Sequence, residues 1–232
     1  MNYSKGFFRY GILFIIYMLL WYWIEKEFIL YPSEEFELLY LIVGTHGGYG
    51  YFLLIASVIL LVHLFFVNDD IKPFSVNLLS RVDRVKGLRL VIHKIVVTSI
   101  VHSFIYVLVQ IINVTVVVDD STLLQYHFYS VMPMYFVAVT SVLLFGGMLF
   151  LLAYVISRNN YLSMIIVVCV NMFIAYYGRT DILYGGLSVV DNMIRQIQTN
   201  VPIWAIYQMI NVCIVVGIYY ITEEIYRKKD IV

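Results

Sequence analysis

Charge is what this chain has least of. Asp, Glu, Lys and Arg together make up 13% of its 232 residues, where soluble domains carry about 25%. Hydrophobic residues reach 62%, and the mean hydropathy is +0.88. No soluble core of this size can bury so much apolar surface, so the composition points to an integral membrane protein. Fifteen basic and fifteen acidic residues cancel to zero net charge. That removes the basic excess on which nucleic-acid binding draws, and no nucleic-acid partner is expected. Cysteine is nearly absent. Cys169 and Cys213 both lie in apolar runs, where they read as packing residues and not as a disulfide or a metal pair. There are four prolines, no Pro- or Ser-rich linker, no long repeat and no low-complexity tract. Residues 1–232 are therefore expected to form a single transmembrane domain.

Chemistry-bearing motifs are scarce too. No G-x-x-x-x-G-K-[ST] pattern occurs, so the chain has no phosphate cradle of that kind, and any ATP that drives it is bound by another chain. The five histidines form no H-E-x-x-H or Cys/His cluster. His93 and His102 fall on opposite faces of one helix, and His46 and His63 stand too far apart to share a site within theirs. Neither a metal nor a cofactor is expected. Glu223, Glu224 and Arg227 resemble the glutamate pair and arginine of prenyl-dependent membrane proteases, but the spacing is one residue short. They read more simply as a polar helix end, and no catalytic residue is assigned. The apolar runs contain His63, Gln110, Asn113, Ser141, Asn171, Gln208 and Asn211 but no acid. Ion-coupled carriers usually hold an ionisable group at mid-membrane, so this argues against one.

What is present is a series of long apolar runs. Six spans are expected, at about residues 6–24, 39–67, 92–118, 134–156, 162–177 and 202–222, giving an all-α polytopic membrane protein. The first covers about 28 Å as a helix, enough for a bilayer core. It reads as a retained anchor, with Trp21 and Trp23 as an aromatic belt at its end. The second is overlong, and its first half, GTHGGYGYF, is loose for a helix. Pro133 is expected to start the fourth helix, and SRNNY to turn tightly into the fifth. With both termini cytoplasmic, twelve of the fifteen Lys and Arg residues fall inside, which sets the orientation by the positive-inside rule.

Two connections look helical themselves. Between spans two and three, Lys72, Arg81, Arg84, Lys86, Arg89 and Lys94 make a basic cytoplasmic stretch. Within it, residues 75–90 read as an amphipathic surface helix, with Val76, Leu79, Val82 and Val85 at three-residue steps. Pro73 precedes it and Ser75 caps it. Such a helix binds anionic lipid of the bilayer or docks on a soluble partner. Between spans five and six, residues 178–201 carry Leu187, Val190, Ile194, Ile197 and Val201 at helical spacing, and Asp191 can pair with Arg195. This is expected to be an outer helix that does not cross the bilayer. Asn113, Asn171 and Asn211 either glue helices together, the commoner role, or line a substrate path.

With these features in place, the chain resembles the permease subunit of a type-2 ABC transporter, most closely the small permeases of Gram-positive peptide-antibiotic export or immunity systems. SRVDRVKGLRLVIHK, leading into span three, stands where that class has its coupling helix, and residues 181–201 where it has a helical outer segment. The resemblance implies a multi-pass protein of the cell membrane that exports an amphipathic peptide, antibiotic or lipid-like substrate. It implies an ABC ATPase subunit as partner, which hydrolyses the ATP, and a second permease copy or homologue. On that reading Leu78, Leu79 and Val82 dock the ATPase, with Arg81, Arg84 and Arg89 at the rim. The alternatives are the substrate-binding membrane component of an energy-coupling vitamin transporter, which needs a polar pocket in its outer half, an intramembrane enzyme, which needs a buried catalytic set, and an immunity or scaffold protein with no substrate.

Overall fold

Long apolar runs with few breakers leave the backbone one way to satisfy its hydrogen bonds without water, which is to form long helices. The computed structural model describes residues 3–30, 53–71, 84–177, 183–196 and 201–228, and among these every element is helical. In chain order they are α1 (Tyr3–Leu30), α2 (Leu60–Ile71), α3 (Arg84–Val117), α4 (Asp120–Gln125), α5 (Phe128–Ser157), α6 (Asn160–Tyr177), α7 (Gly185–Gln196) and α8 (Val201–Lys228). A π-helical turn, Ile55–Ile59, leads into α2.

Among the described residues three helices, α3, α5 and α8, are long and apolar enough to cross a membrane. Shorter apolar helical segments occupy Phe8–Trp23, Ile55–Asp69 and Asn160–Tyr176. The helices outrun the expected spans: α1 continues to Leu30 and α8 to Lys228. The loose first half of span two lies outside the described residues.

Two boundaries differ from the expectation for clear reasons. Residues 84–90 are not a separate surface helix; they are the opening turns of α3, because Arg84, Lys86, Leu88, Arg89 and Leu90 favour helix and the one glycine, Gly87, does not break it. Residues 75–83 lie outside the described residues. Pro133 does not start α5 but sits inside it, since the helix begins at Phe128. The missing N–H at Pro133 leaves the Tyr129 carbonyl without its helical donor. The connection before α5 holds the short α4, and His127 takes a left-handed conformation, φ 54°, to turn the chain between them. The Tyr129 hydroxyl closes this corner by donating to Asp120 at 2.9 Å.

The SRNNY turn forms as expected. Arg158 takes φ 56°, and the Asn159 side chain caps α6 by accepting from the amides of Tyr161 and Leu162 at 3.0 and 3.1 Å.

The core centres on α5, which packs against α2, α3, α6, α7 and α8 and is the most enclosed of the three long helices. Gly146 and Gly147 make this possible: a Cβ on Gly146 would strike Leu60 of α2, and one on Gly147 would come within 2.6 Å of Ile95 of α3. Small residues at such points let helices approach closely where lipid supplies no hydrophobic drive. α3 and α5 run antiparallel, with Phe104 meeting Phe136 and, deeper in the bundle, Ile95 meeting Gly147. α1 lies parallel to α3 and buries Leu13, Tyr17 and Trp21, one residue per turn.

Candidate functional site

Three polar constellations interrupt the apolar packing. The first joins α1, α2 and α3. Tyr17, His63, Ser99 and His102 are all fully or almost fully buried. Ser99 Oγ lies 2.8 Å from the Ile95 carbonyl and 3.3 Å from His63 Nε2. Ser99 thus stands between the Ile95 carbonyl and the His63 ring, and which of the two takes its single hydrogen is set by the His63 tautomer. The His63 and His102 rings stand edge to face at 5.0 Å, and the Tyr17 hydroxyl lies 3.2 Å from His102 Nδ1. Arg9 stands over the Phe66 ring at 4.2 Å and donates to the Phe66 carbonyl at 2.6 Å. Further along, Trp21 Nε1 donates to Gln110 at 2.8 Å.

The second constellation lies where α5, α6, α7 and α8 meet. Asn211, on α8, donates to the Leu183 carbonyl at 3.2 Å. Asn171, on α6, donates to the Val167 carbonyl of its own helix at 2.9 Å and stands 3.5 Å from the Tyr184 hydroxyl. Burial raises the pKa of the Tyr184 hydroxyl, so it remains a hydrogen-bond donor. Ser141, on α5, donates to Gln208 Oε1 at 2.7 Å. Gly185 and Gly186 open α7 flat against α8, where Cβ atoms would strike the Tyr207 ring and the Gln208 amide. Leu187, Val190 and Met193 of α7 are buried, and the helix packs on α5 and α8. Of the stretch 178–201 expected to be helical, residues 185–196 form α7, Val201 is the first residue of α8, and residues 178–182 and 197–200 lie outside the described residues.

The third joins the start of α3 to the end of α8. Arg89, Tyr219 and Glu223 lie close enough to influence one another's charge, and Arg227 donates to Glu223. Glu224 pairs with Lys228 at 2.8 Å. The two acids that resembled a protease set are thus tied along their own helix, with basic residues in its last turn.

The sequence-assigned residues divide accordingly. Leu78, Leu79, Arg81 and Val82 lie outside the described residues, Arg84 is the first residue of α3, and Arg89 stands exposed beside Tyr219. Asn171 and Asn211 meet on either side of Leu183 and Tyr184. Asn113 is elsewhere: it donates to the Val109 carbonyl and to Met18 Sδ, at 2.8 and 3.2 Å, on the α1 side of α3. An open, apolar groove of about 560 Å³ runs along α8 between Ile206, Met209, Ile210, Cys213 and Ile214.

Spacing within single helices could not reveal the His63–His102 contact, because the partners sit on different helices. Trp21 carries a clearer signal. It repeats the step of Leu13 and Tyr17 and is buried, whereas Trp23, two residues on, is 68% exposed; only Trp23 has the exposure of a belt residue. No protein-family model, no curated protein and no solved structure matches the chain.

Proposed function

We propose that this chain is the membrane permease subunit of an ATP-driven ABC exporter, with six spans, both termini in the cytoplasm, and an amphipathic peptide, antibiotic or lipid-like substrate. ATP is hydrolysed on a separate ABC ATPase that docks at residues 75–90, and a second permease copy or homologue completes the pathway. The observation that carries this reading is α7, a short amphipathic helix between the apolar helices α6 and α8, seated on α5 and α8 by Leu187, Val190 and Met193. A plain loop there would have removed the feature that the chain shares with the exporter class. The basic opening of α3, with Arg84, Lys86 and Arg89, gives further support.

Docking by residues 75–90 buries Leu78, Leu79 and Val82 in a groove of the ATPase and sets Arg81, Arg84 and Arg89 at its rim. Apolar anchors carry most of such an interface and rim charges less. The test is co-purification with the ATPase after changing Leu79→Asp and Val82→Asp together. Loss of the complex, with normal membrane insertion, is the expected result. An intact complex ends the docking assignment, and weakened membrane contact in an Arg81→Gln, Arg84→Gln, Arg89→Gln triple variant would then identify anionic lipid as the partner of this stretch.

A further inference from the structure

Three side chains on one stripe of α8 hold buried polar atoms with no hydrogen-bond partner: Trp204 Nε1, Gln208 Nε2 and Asn211 Oδ1. Their spacing of four and then three residues keeps them within a narrow arc of the helix, over an axial length of about 10 Å. Gln208 is 8% exposed and Asn211 1%. Polar groups kept from water are costly to leave unpaired. Three in a row point to a partner that occupies the stripe in another state of the protein.

The orphaned atoms define that partner's chemistry. Trp204 offers an N–H donor, and Gln208 offers an amide that presents a donor or an acceptor according to which end faces Ser141. Asn211 offers an acceptor, because its amide nitrogen is already held by the Leu183 carbonyl. Among the described residues the groups around the stripe, Ser141, Tyr184, Gly185 and Gly186, bear no charge, so none of them pairs with an ionised ligand. A neutral group that both accepts and donates fits, and the peptide bond is such a group. An extended chain rises about 3.3 Å per residue, so the stripe spans about three residues of it.

We propose that the Trp204–Gln208–Asn211 stripe is the substrate-recognition stripe of this protein and that it binds the uncharged backbone of an extended peptide. The assignment rests on the permease reading and narrows its substrate class. α7 covers the stripe in the present structure: Gly185 and Gly186 lie flat on Tyr207 and Gln208. Peptide therefore gains access when the start of α7 lifts away from α8. The absence of side chains at those two positions leaves only backbone contact to undo.

The test needs no ATPase, so its failure is separable from failure of the docking assignment. Trp21→Phe and Trp23→Phe leave Trp204 as the only tryptophan of the three in the chain. The full chain carrying these changes, in phosphatidylcholine nanodiscs, is titrated with the uncharged peptide acetyl-(Leu-Ser)4-amide while Trp204 emission is followed. A saturable red shift is expected, as the indole N–H gains an acceptor. Gln208→Met should weaken the apparent affinity about tenfold, the effect of one lost hydrogen bond in a dry site, and should leave the melting temperature unchanged or higher, since Ser141 still has the Val137 carbonyl. Gly186→Ala, whose methyl collides with the Gln208 amide when α7 is seated, should favour the lifted start of α7 and strengthen binding. Absence of any shift overturns the proposal, and so does an unchanged affinity in a well-folded Gln208→Met. A shift produced by phosphatidylcholine content alone, with peptide adding nothing, also overturns it and assigns the stripe to lipid ester carbonyls.

Discussion

Tyr17 illustrates how a single side chain can hold two helices together away from water. It is 1% exposed, packs edge-on against Tyr106 and holds His102 through its hydroxyl. His102 Nε2 has no partner, so removing the Tyr17 hydroxyl leaves both ring nitrogens of His102 unsatisfied. Tyr17→Phe is therefore expected to cost about 1–3 kcal/mol, read as thermal unfolding in detergent. In a His102→Phe background the same change should cost little, because no polar partner remains to be stranded. Equal losses in both backgrounds would mean that the hydroxyl is not what matters. The apolar repeat containing Tyr17 was legible in the sequence. Its partner was not, since a histidine on a distant helix leaves no mark on local periodicity.

At the scale of helices, packing turns on where side chains are missing. Gly147 lies under Ile95 of α3, whereas Gly217 of α8 has nothing within 4 Å of the point where a Cβ would stand. Gly147→Leu should destabilise by about 1–3 kcal/mol through overpacking. Gly217→Ala should stabilise by up to about 1 kcal/mol through helix propensity alone. Opposite shifts in melting temperature check the pair, and a neutral Gly147→Leu would show that α3 and α5 do not meet so closely. Helix existence was readable from apolar runs of sufficient length. Helix ends were less so: the three-residue repeat of Val76, Leu79, Val82 and Val85 suggested a helix running to Leu90, but backbone continuity assigns residues 84–90 to α3. Periodicity reports which face is apolar; it does not report where one helix axis gives way to the next.

For the whole molecule, three helices among the described residues have the length and apolarity to cross a bilayer, and the proposed topology asks for six crossings. The two cysteines are exposed, so the topology test begins from Cys169→Ser and Cys213→Ser. In that background a cysteine introduced at Glu35 or Asp191 should react with an impermeant thiol reagent added to intact cells, and one at Lys228 should not. The reverse pattern sinks the orientation. Composition alone carried the membrane assignment, and the proposed orientation rests on the charge distribution. Neither encodes how polar residues from separate helices meet, and for that reason Asn113 could not be told apart from Asn171 and Asn211 in advance.

α3 is 34 residues long, about 51 Å at 1.5 Å per residue, against a hydrocarbon core of about 30 Å. A rod that overhangs its support by about 20 Å is a lever. Tilting it by about 10° swings the tip near Arg84 sideways by about 3–4 Å, if the pivot lies at the membrane surface. The opposite arm then slides His102 and Gln110 past Tyr17 and Trp21, whose bonds to them tolerate only a fraction of that travel. Torque applied to the basic tip would therefore load the α1 contacts together with the Phe104–Phe136 contact to α5.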